Sequence, residues 1–175
     1  MKCLLCDINA SMREAWKREL VRRLELAATC EILSGDITGL NADAVVSPAN
    51  SFGFMRGGVD GVYTRVFGSG VEAGLQAIIR TLPSGELPVG EALVVPTGHG
   101  RIPWLISAPT MRTPSRLRDG SPVLLATRAA CRAARERGFA SVAFPGMGTG
   151  TGRLPFDEAA RAMFDGLAEA FSEKG

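Results

Sequence analysis

An α/β fold, with a sheet covered by helices on both faces, is what this 175-residue sequence predicts. Three observations predict it. Hydrophobic runs of strand length alternate with segments of helical periodicity, the ordering that builds a sheet flanked by helices. A composition of 46% hydrophobic and 22% charged residues is enough to bury a core, which excludes a fibre or a disordered tail. The length suits one compact domain, and no internal repeat or long linker divides it, so a single domain over residues 1–175 is expected.

The elements are expected in the following order. A strand at residues 2–8 leads to a helix over 11–27, where Ser11 offers a cap oxygen and Glu14 stands three residues on, a capping-box pattern. Strands follow at 29–34 and 44–48, with a turn of Gly35, Asp36, Ile37, Thr38 and Gly39 between them. Helices read at 58–67 and 71–82. After a Pro/Gly-rich connection over 83–90 come strands at 92–96 and 103–108. A loop rich in Arg and Pro precedes a helix over 122–138, which Gly138 stops. A strand at 140–144, a glycine-rich loop over 145–153 and a helix over 155–173 follow, with Pro155 suited to a first turn.

Composition excludes several classes of function. No apolar run approaches the roughly 20 residues of a membrane span, and the N-terminus lacks a signal-peptide pattern, so a cytoplasmic protein without membrane contact is expected. Four cysteines, at positions 3, 6, 30 and 131, suit reduced thiols. Cys3 and Cys6 form a C-x-x-C spacing, but in a strand they fall on opposite faces, so they read as buried small hydrophobes. A net charge of +2 gives nucleic acid no support as a partner. His99, the only histidine, reads as a solvated loop residue, and no Ser-His-Asp triad forms around it. Arg112, Arg116 and Arg118 read as a solvated loop, and Trp16 and Trp104 as residues in or at the edge of the core.

Two loops carry the chemistry. Gly146, Gly148, Gly150 and Gly152 alternate with Met147, Thr149 and Thr151 after a predicted strand and before a predicted helix. Small residues there let backbone amides approach a diphosphate, although a flexible turn has the same composition. The spacing is neither the G-x-G-x-x-G dinucleotide fingerprint nor a P-loop. Gly57, Gly58, Val59, Asp60 and Gly61 follow the strand that carries Ser47, Pro48, Ala49 and Asn50, and open a helix whose N-terminus favours an anion. Both loops lie after strands and so face one cleft. Asp60 reads either as an ordinary helix-start carboxylate or as a group that orients a hydroxyl or a water.

Gly35, Asp36, Ile37 and Thr38, then the run from Ala42 to Asn50, then Gly57 to Gly61, and finally the run from Phe144 to Gly150 resemble, in order and spacing, the macrodomain family over residues 31–172. The resemblance implies a three-layer α/β/α sandwich with a central mixed sheet that binds ADP-ribose. Among such proteins, MacroD-type members remove ADP-ribose from modified proteins or deacetylate O-acetyl-ADP-ribose. Residue by residue, it implies that Asp36 accepts a hydrogen bond from the adenine amino group and that the Ile37 amide meets the diphosphate. Asn50 corresponds to the residue that bonds the distal ribose, and Asp60 to the catalytic-loop aspartate that positions or activates the attacking water. Gly57, Gly58, Val59, Gly146, Met147, Gly148, Thr149, Gly150, Thr151 and Gly152 would surround the phosphates. The implied activity is hydrolysis of mono-ADP-ribose from acidic side chains of proteins, with ADP-ribose as ligand or product and no metal or cofactor. A non-catalytic ADP-ribose reader and an O-acetyl-ADP-ribose deacetylase are the alternatives.

The sequence departs from that pattern in places. The family's Asn-Ala-Ala-Asn is Ser47, Pro48, Ala49 and Asn50, and its run of four glycines is Met55, Arg56, Gly57 and Gly58, which sets Arg56 at the cleft. Gly152 stands where many hydrolases carry an aromatic residue over the distal ribose, and Thr64 where a histidine often follows the aspartate. Residues 2–7, with the helix containing Glu14, Ala15 and Trp16, look like the terminal strand and helix of the family moved to the front. That circular permutation would lay Asp7, Ile8, Asn9 and Met12 over the adenine.

Overall fold

The computed structural model of the chain describes residues 1–172. Strands β1 (Lys2–Asp7), β2 (Cys30–Ser34), β3 (Ala44–Ser47), β4 (Leu93–Pro96), β5 (Trp104–Ser107) and β6 (Ser141–Phe144) form one sheet in the order β2-β1-β6-β3-β5-β4. Neighbours pair in parallel except at one edge, where β4 runs antiparallel to β5. All four residues of β3 are buried, as befits an apolar run covered on both faces. β1 lies inside the sheet between β2 and β6, the placement that the circular permutation requires.

Helices α1 (Ala10–Arg22), α4 (Ser121–Glu136) and α5 (Phe156–Ser172) cover one face, where Trp16, Val123 and Phe164 join a core with Val46 and Phe144. Helices α2 (Gly58–Phe67) and α3 (Gly70–Ile79) cover the other, where Tyr63 and Leu75 meet Val45 and Leu105. The mixed sheet between two helical layers is the three-layer sandwich the sequence implies. The strand's period of two sends Cys3 into the first core and Cys6 into the second, and all four thiols are free and buried. Among the described residues no helix is long and apolar enough to cross a membrane.

Local chemistry moves several boundaries. Asn9 caps α1 in place of Ser11, because its side chain accepts from the Ser11 amide at 2.9 Å. Glu14 makes no capping box; it pairs with Lys17 at 2.7 Å on the surface. The helix stops at Arg22, and a separate 3₁₀ turn, Leu24–Leu26, carries the chain toward β2. The expected turn after β2 is a 3₁₀ turn, Ile37–Gly39, capped by Asp36. The last helix is described to Ser172, and residue 173 of the expected span lies outside the described residues.

Trp16 is fully buried and its Nε1 donates to Met163 Sδ at 3.4 Å. Trp104 is half-buried, with the Phe139 ring 6.2 Å away. Truncating the larger anchor, Trp16→Ala, should cost about 3–5 kcal/mol by urea unfolding. A loss below about 0.5 kcal/mol, the level of an ordinary surface substitution, would contradict the placement of α1 in the core.

Candidate functional site

Asp7, Asp36, Pro48, Thr110 and Pro145, each at or just beyond the carboxyl end of a parallel strand, line one cleft of about 890 Å³. In open α/β sheets ligands bind in that crevice, and the volume lies in the range of small-molecule and cofactor sites. At one end, Asp7 Oδ1 accepts from the Asn9 amide at 2.8 Å and Oδ2 from the Gly146 amide at 3.0 Å. One carboxylate therefore ties the end of β1 to the glycine loop. A Cβ at Gly146 would sit 2.6 Å from that oxygen, so any other residue there would push the Asp7 or Met12 side chain aside. Asp36 spends Oδ1 on the Thr38 amide (2.9 Å) and hydroxyl (2.7 Å), and Ile37 beside it lines the cleft.

Two segments with backbone amides line the cleft. The first hydrogen bond at the start of α2 runs from Gly61 N to Gly57 O at 3.2 Å, leaving the amides of Gly58, Val59 and Asp60 at a helix N-terminus. Opposite them, Gly148, Thr149, Gly150, Thr151 and Gly152 line the wall. Met147 does not: its side chain is buried in the core, where Sδ accepts from Thr127 Oγ1 at 3.6 Å. The whole residue is inaccessible, so the expected ligand contact at Met147 is not supported. At Gly152 a Cβ would meet Gly148 O at 2.5 Å, so the loop folds too tightly there for any side chain. Together the amides form a cradle suited to the oxygens of a diphosphate.

Asp60 lines the cleft although it is only 7% exposed. Ser47 Oγ donates to Asp60 Oδ1 at 2.5 Å from the end of β3. Burial pushes the Asp60 carboxyl up to about 7, against the pull of the Ser47 hydrogen bond, and the charge of Glu72 adds to the rise. Asn50 is buried ten residues earlier and holds its own loop together. Its Oδ1 accepts from the amides of Phe52 (3.1 Å) and Phe54 (3.4 Å), and Nδ2 donates to Phe54 O at 3.0 Å. The second Nδ2 hydrogen is what remains for a ligand. Thr64 Oγ1 donates to Met55 O at 2.8 Å, which braces the same loop from α2.

At the rim, Arg56 lines the cleft, stands 5.6 Å from the centre of the Phe54 ring and lies 3.7 Å from Glu72. Asp7, Ile8 and Asn9 line the end expected to receive a base, but Met12 lies beneath Gly146, fully buried. Its place on the inward face of α1 turns it to the core. Two aromatic rings in the cleft, Phe54 and Phe156, escaped the sequence reading. The position of Phe156 directly after Pro155 at a helix start was the available signal. His99 is no solvated loop residue, since its ring packs 5.4 Å from that of Phe67. Arg112 is exposed, as expected, and pairs with Glu86 at 2.8 Å. Among the described residues no group of His, Cys, Asp and Glu is placed to hold a metal ion.

Comparisons with known proteins converge on one family. The Macro domain family model matches residues 46–163. An uncharacterized protein of Aquifex aeolicus is 39% identical over 77% of this chain and 78% of its own length. A macro domain-containing protein of Streptomyces coelicolor is 35% identical over 78% of this chain and 81% of its own. Among solved structures, a mutant macrodomain of Oceanobacillus iheyensis with ADPR superposes with a TM-score of 0.70 over 81% of this chain and 77% of that one, at 22% identity.

The buried carboxyl has a consequence for stability. With the Asp60 pKa raised above its ordinary 3.8 to about 7, the folded chain holds a proton that the unfolded chain releases. Between about pH 4 and pH 7 this group therefore withdraws stability as pH rises, by about 1.4 kcal/mol per unit. Asp60→Asn, which cannot ionise, should gain on wild type in chemical denaturation as pH increases from 5 to 8. A stability difference that stays constant over that range would contradict the buried, proton-binding carboxyl.

Proposed function

The chain belongs to the macrodomain family, and from that premise we propose that it binds ADP-ribose and hydrolyses mono-ADP-ribose from acidic side chains of modified proteins. The observation that carries the proposal is Asp60, a nearly buried carboxyl opening into a cleft lined by two sets of backbone amides. The diphosphate would lie between the α2 N-terminus and the glycine loop, where amide donors and the helix dipole favour negative charge. Asp36 faces the adenine end, and one carboxylate oxygen remains beyond the bonds to Thr38 to accept from an amino group. The distal ribose would then meet Asn50 and Asp60.

In the reaction, water attacks at the distal ribose or at the ester, and the ester oxygen bond breaks. The products are ADP-ribose and the free side-chain carboxylate. Asp60 takes the proton from the attacking water, a role suited to a carboxyl titrating near neutrality. The scheme calls on no metal or cofactor.

A second reading is favoured by Gly152. The tight contact with Gly148 leaves no side chain to close over the distal ribose, which would suit a module that binds ADP-ribose without releasing it. The same cleft also suits O-acetyl-ADP-ribose, whose ester lies on the same sugar.

Calorimetry with ADP-ribose should show Asp36→Ala weakened by about tenfold, the worth of a 1.4 kcal/mol hydrogen bond. Unchanged affinity removes Asp36 from the site. Release of ADP-ribose from a glutamate-modified protein should be abolished in Asp60→Ala with the fold intact. Wild-type release in that variant removes Asp60 from the mechanism, and tight binding without release by the wild type makes the chain a reader.

A further inference from the structure

Asp60 has few partners for a carboxyl so deeply placed. Among the described residues it belongs to no ion pair, and the only side-chain hydrogen bond to its carboxyl comes from Ser47. Ser47 is itself fully buried at the end of β3 and does not line the cleft. Its hydroxyl therefore touches the carboxyl from below without reaching a ligand. The backbone that carries it is fixed: Ala108 N donates to Ser47 O at 3.0 Å, and the β3–β5 register sets Ser47 beside Ser107.

Residues in register on parallel strands project to the same face, so Ser107 stands next to Ser47 on the side covered by α2 and α3. Its hydroxyl is buried with no partner among the described residues. Two residues back along the strands, the same face is Val45 and Leu105. On this face β3 and β5 thus turn polar at their last residues, where Ser47 meets Asp60.

We infer that Ser47 is a positioning residue that acts through Asp60: its hydroxyl donates to the buried carboxyl and so favours the ionised form. Its catalytic consequence rests on the hydrolase reading above. The surrounding groups do not supply this support. From α3, Glu72 brings like charge, partly offset by Arg56 at 3.7 Å. From α2, the Tyr63 hydroxyl is committed to Val46 O at 3.0 Å, and Thr64 Oγ1 reaches the Asp60 backbone oxygen rather than its carboxyl. Removing the Ser47 hydroxyl leaves a buried carboxyl with burial and Glu72 both opposing its charge, so its proton affinity rises further.

Ser47→Ala and Ser47→Thr test the inference in protein labelled with ¹³C at aspartate, the Asp60 signal being identified by its loss in Asp60→Asn. The titration midpoint of that carboxyl should rise by about one unit in Ser47→Ala and stay near wild type in Ser47→Thr, which keeps the hydroxyl. The acidic limb of the pH profile for ADP-ribose release should move by the same amount, about tenfold in rate below the limb. The high-pH plateau should be kept. An unchanged midpoint in folded Ser47→Ala overturns the inference, as does a rate loss equal at every pH. The titration needs no turnover, so a wild type that never releases ADP-ribose would refute the hydrolase reading alone.

Discussion

One carboxyl group withdrawn from water organises the cleft. Burial and the charge of Glu72 favour protonated Asp60, whereas the Ser47 hydroxyl and the start of α2 favour its ionised form. The opposing influences leave it titrating at about 7, in the range where a group can both accept and return a proton. A surface carboxylate in the same loop would stay ionised and exert a weaker pull on a proton. Thr64 and the self-bonded side chain of Asn50 then fix the loop around it, so the group has little freedom to turn away.

The sheet order supplies the rest of the site. β1 enters between β2 and β6, which brings Asp7 beside Gly146 and lets one carboxylate hold the glycine loop at a 3.0 Å contact. The N-terminal strand is thus part of the ligand cleft. Tight packing has a cost in enclosure, because the loop that presents amides of Thr149, Gly150 and Thr151 closes on itself at Gly152. Phe156, Phe54 and Arg56 bring the aromatic and cationic surface that the loop itself cannot carry.

Much of this was legible in the sequence because it is written in backbone requirements. The start of α2 followed from the glycines at 57 and 58, and the alternation of apolar runs with helical segments declared a sheet covered on both faces, as β3 shows. Glycines in the 146–152 loop marked positions of tight packing, although the contacts at Gly146 and Gly152 are with the protein's own Asp7, Met12, Gly148 and Leu117. What stayed hidden depends on where side chains point. Met147 and Met12 are near the ligand in sequence but turn inward, since the core lies on that side of their backbone. The loop-bracing part of Asn50 was equally hidden: three hydrogen bonds of its side chain go to its own loop, which leaves one Nδ2 hydrogen for a ligand. Asn9, two residues before Ser11, takes the cap because its side-chain oxygen accepts from the Ser11 amide. The Ser47 contact was invisible, because it joins a strand end to a helix thirteen residues away through burial that no spacing encodes.

The central claim is that ADP-ribose lies across this cleft with its diphosphate between two sets of amides and its distal ribose at Asp60. Backbone amide NMR during titration with ADP-ribose tests it most directly. The account predicts the largest shifts at Gly58, Val59 and Asp60 and at Thr149, Gly150 and Thr151, with smaller ones at Asp36 and Asn50. Saturable shifts confined to another surface, or none at millimolar ADP-ribose, would contradict it.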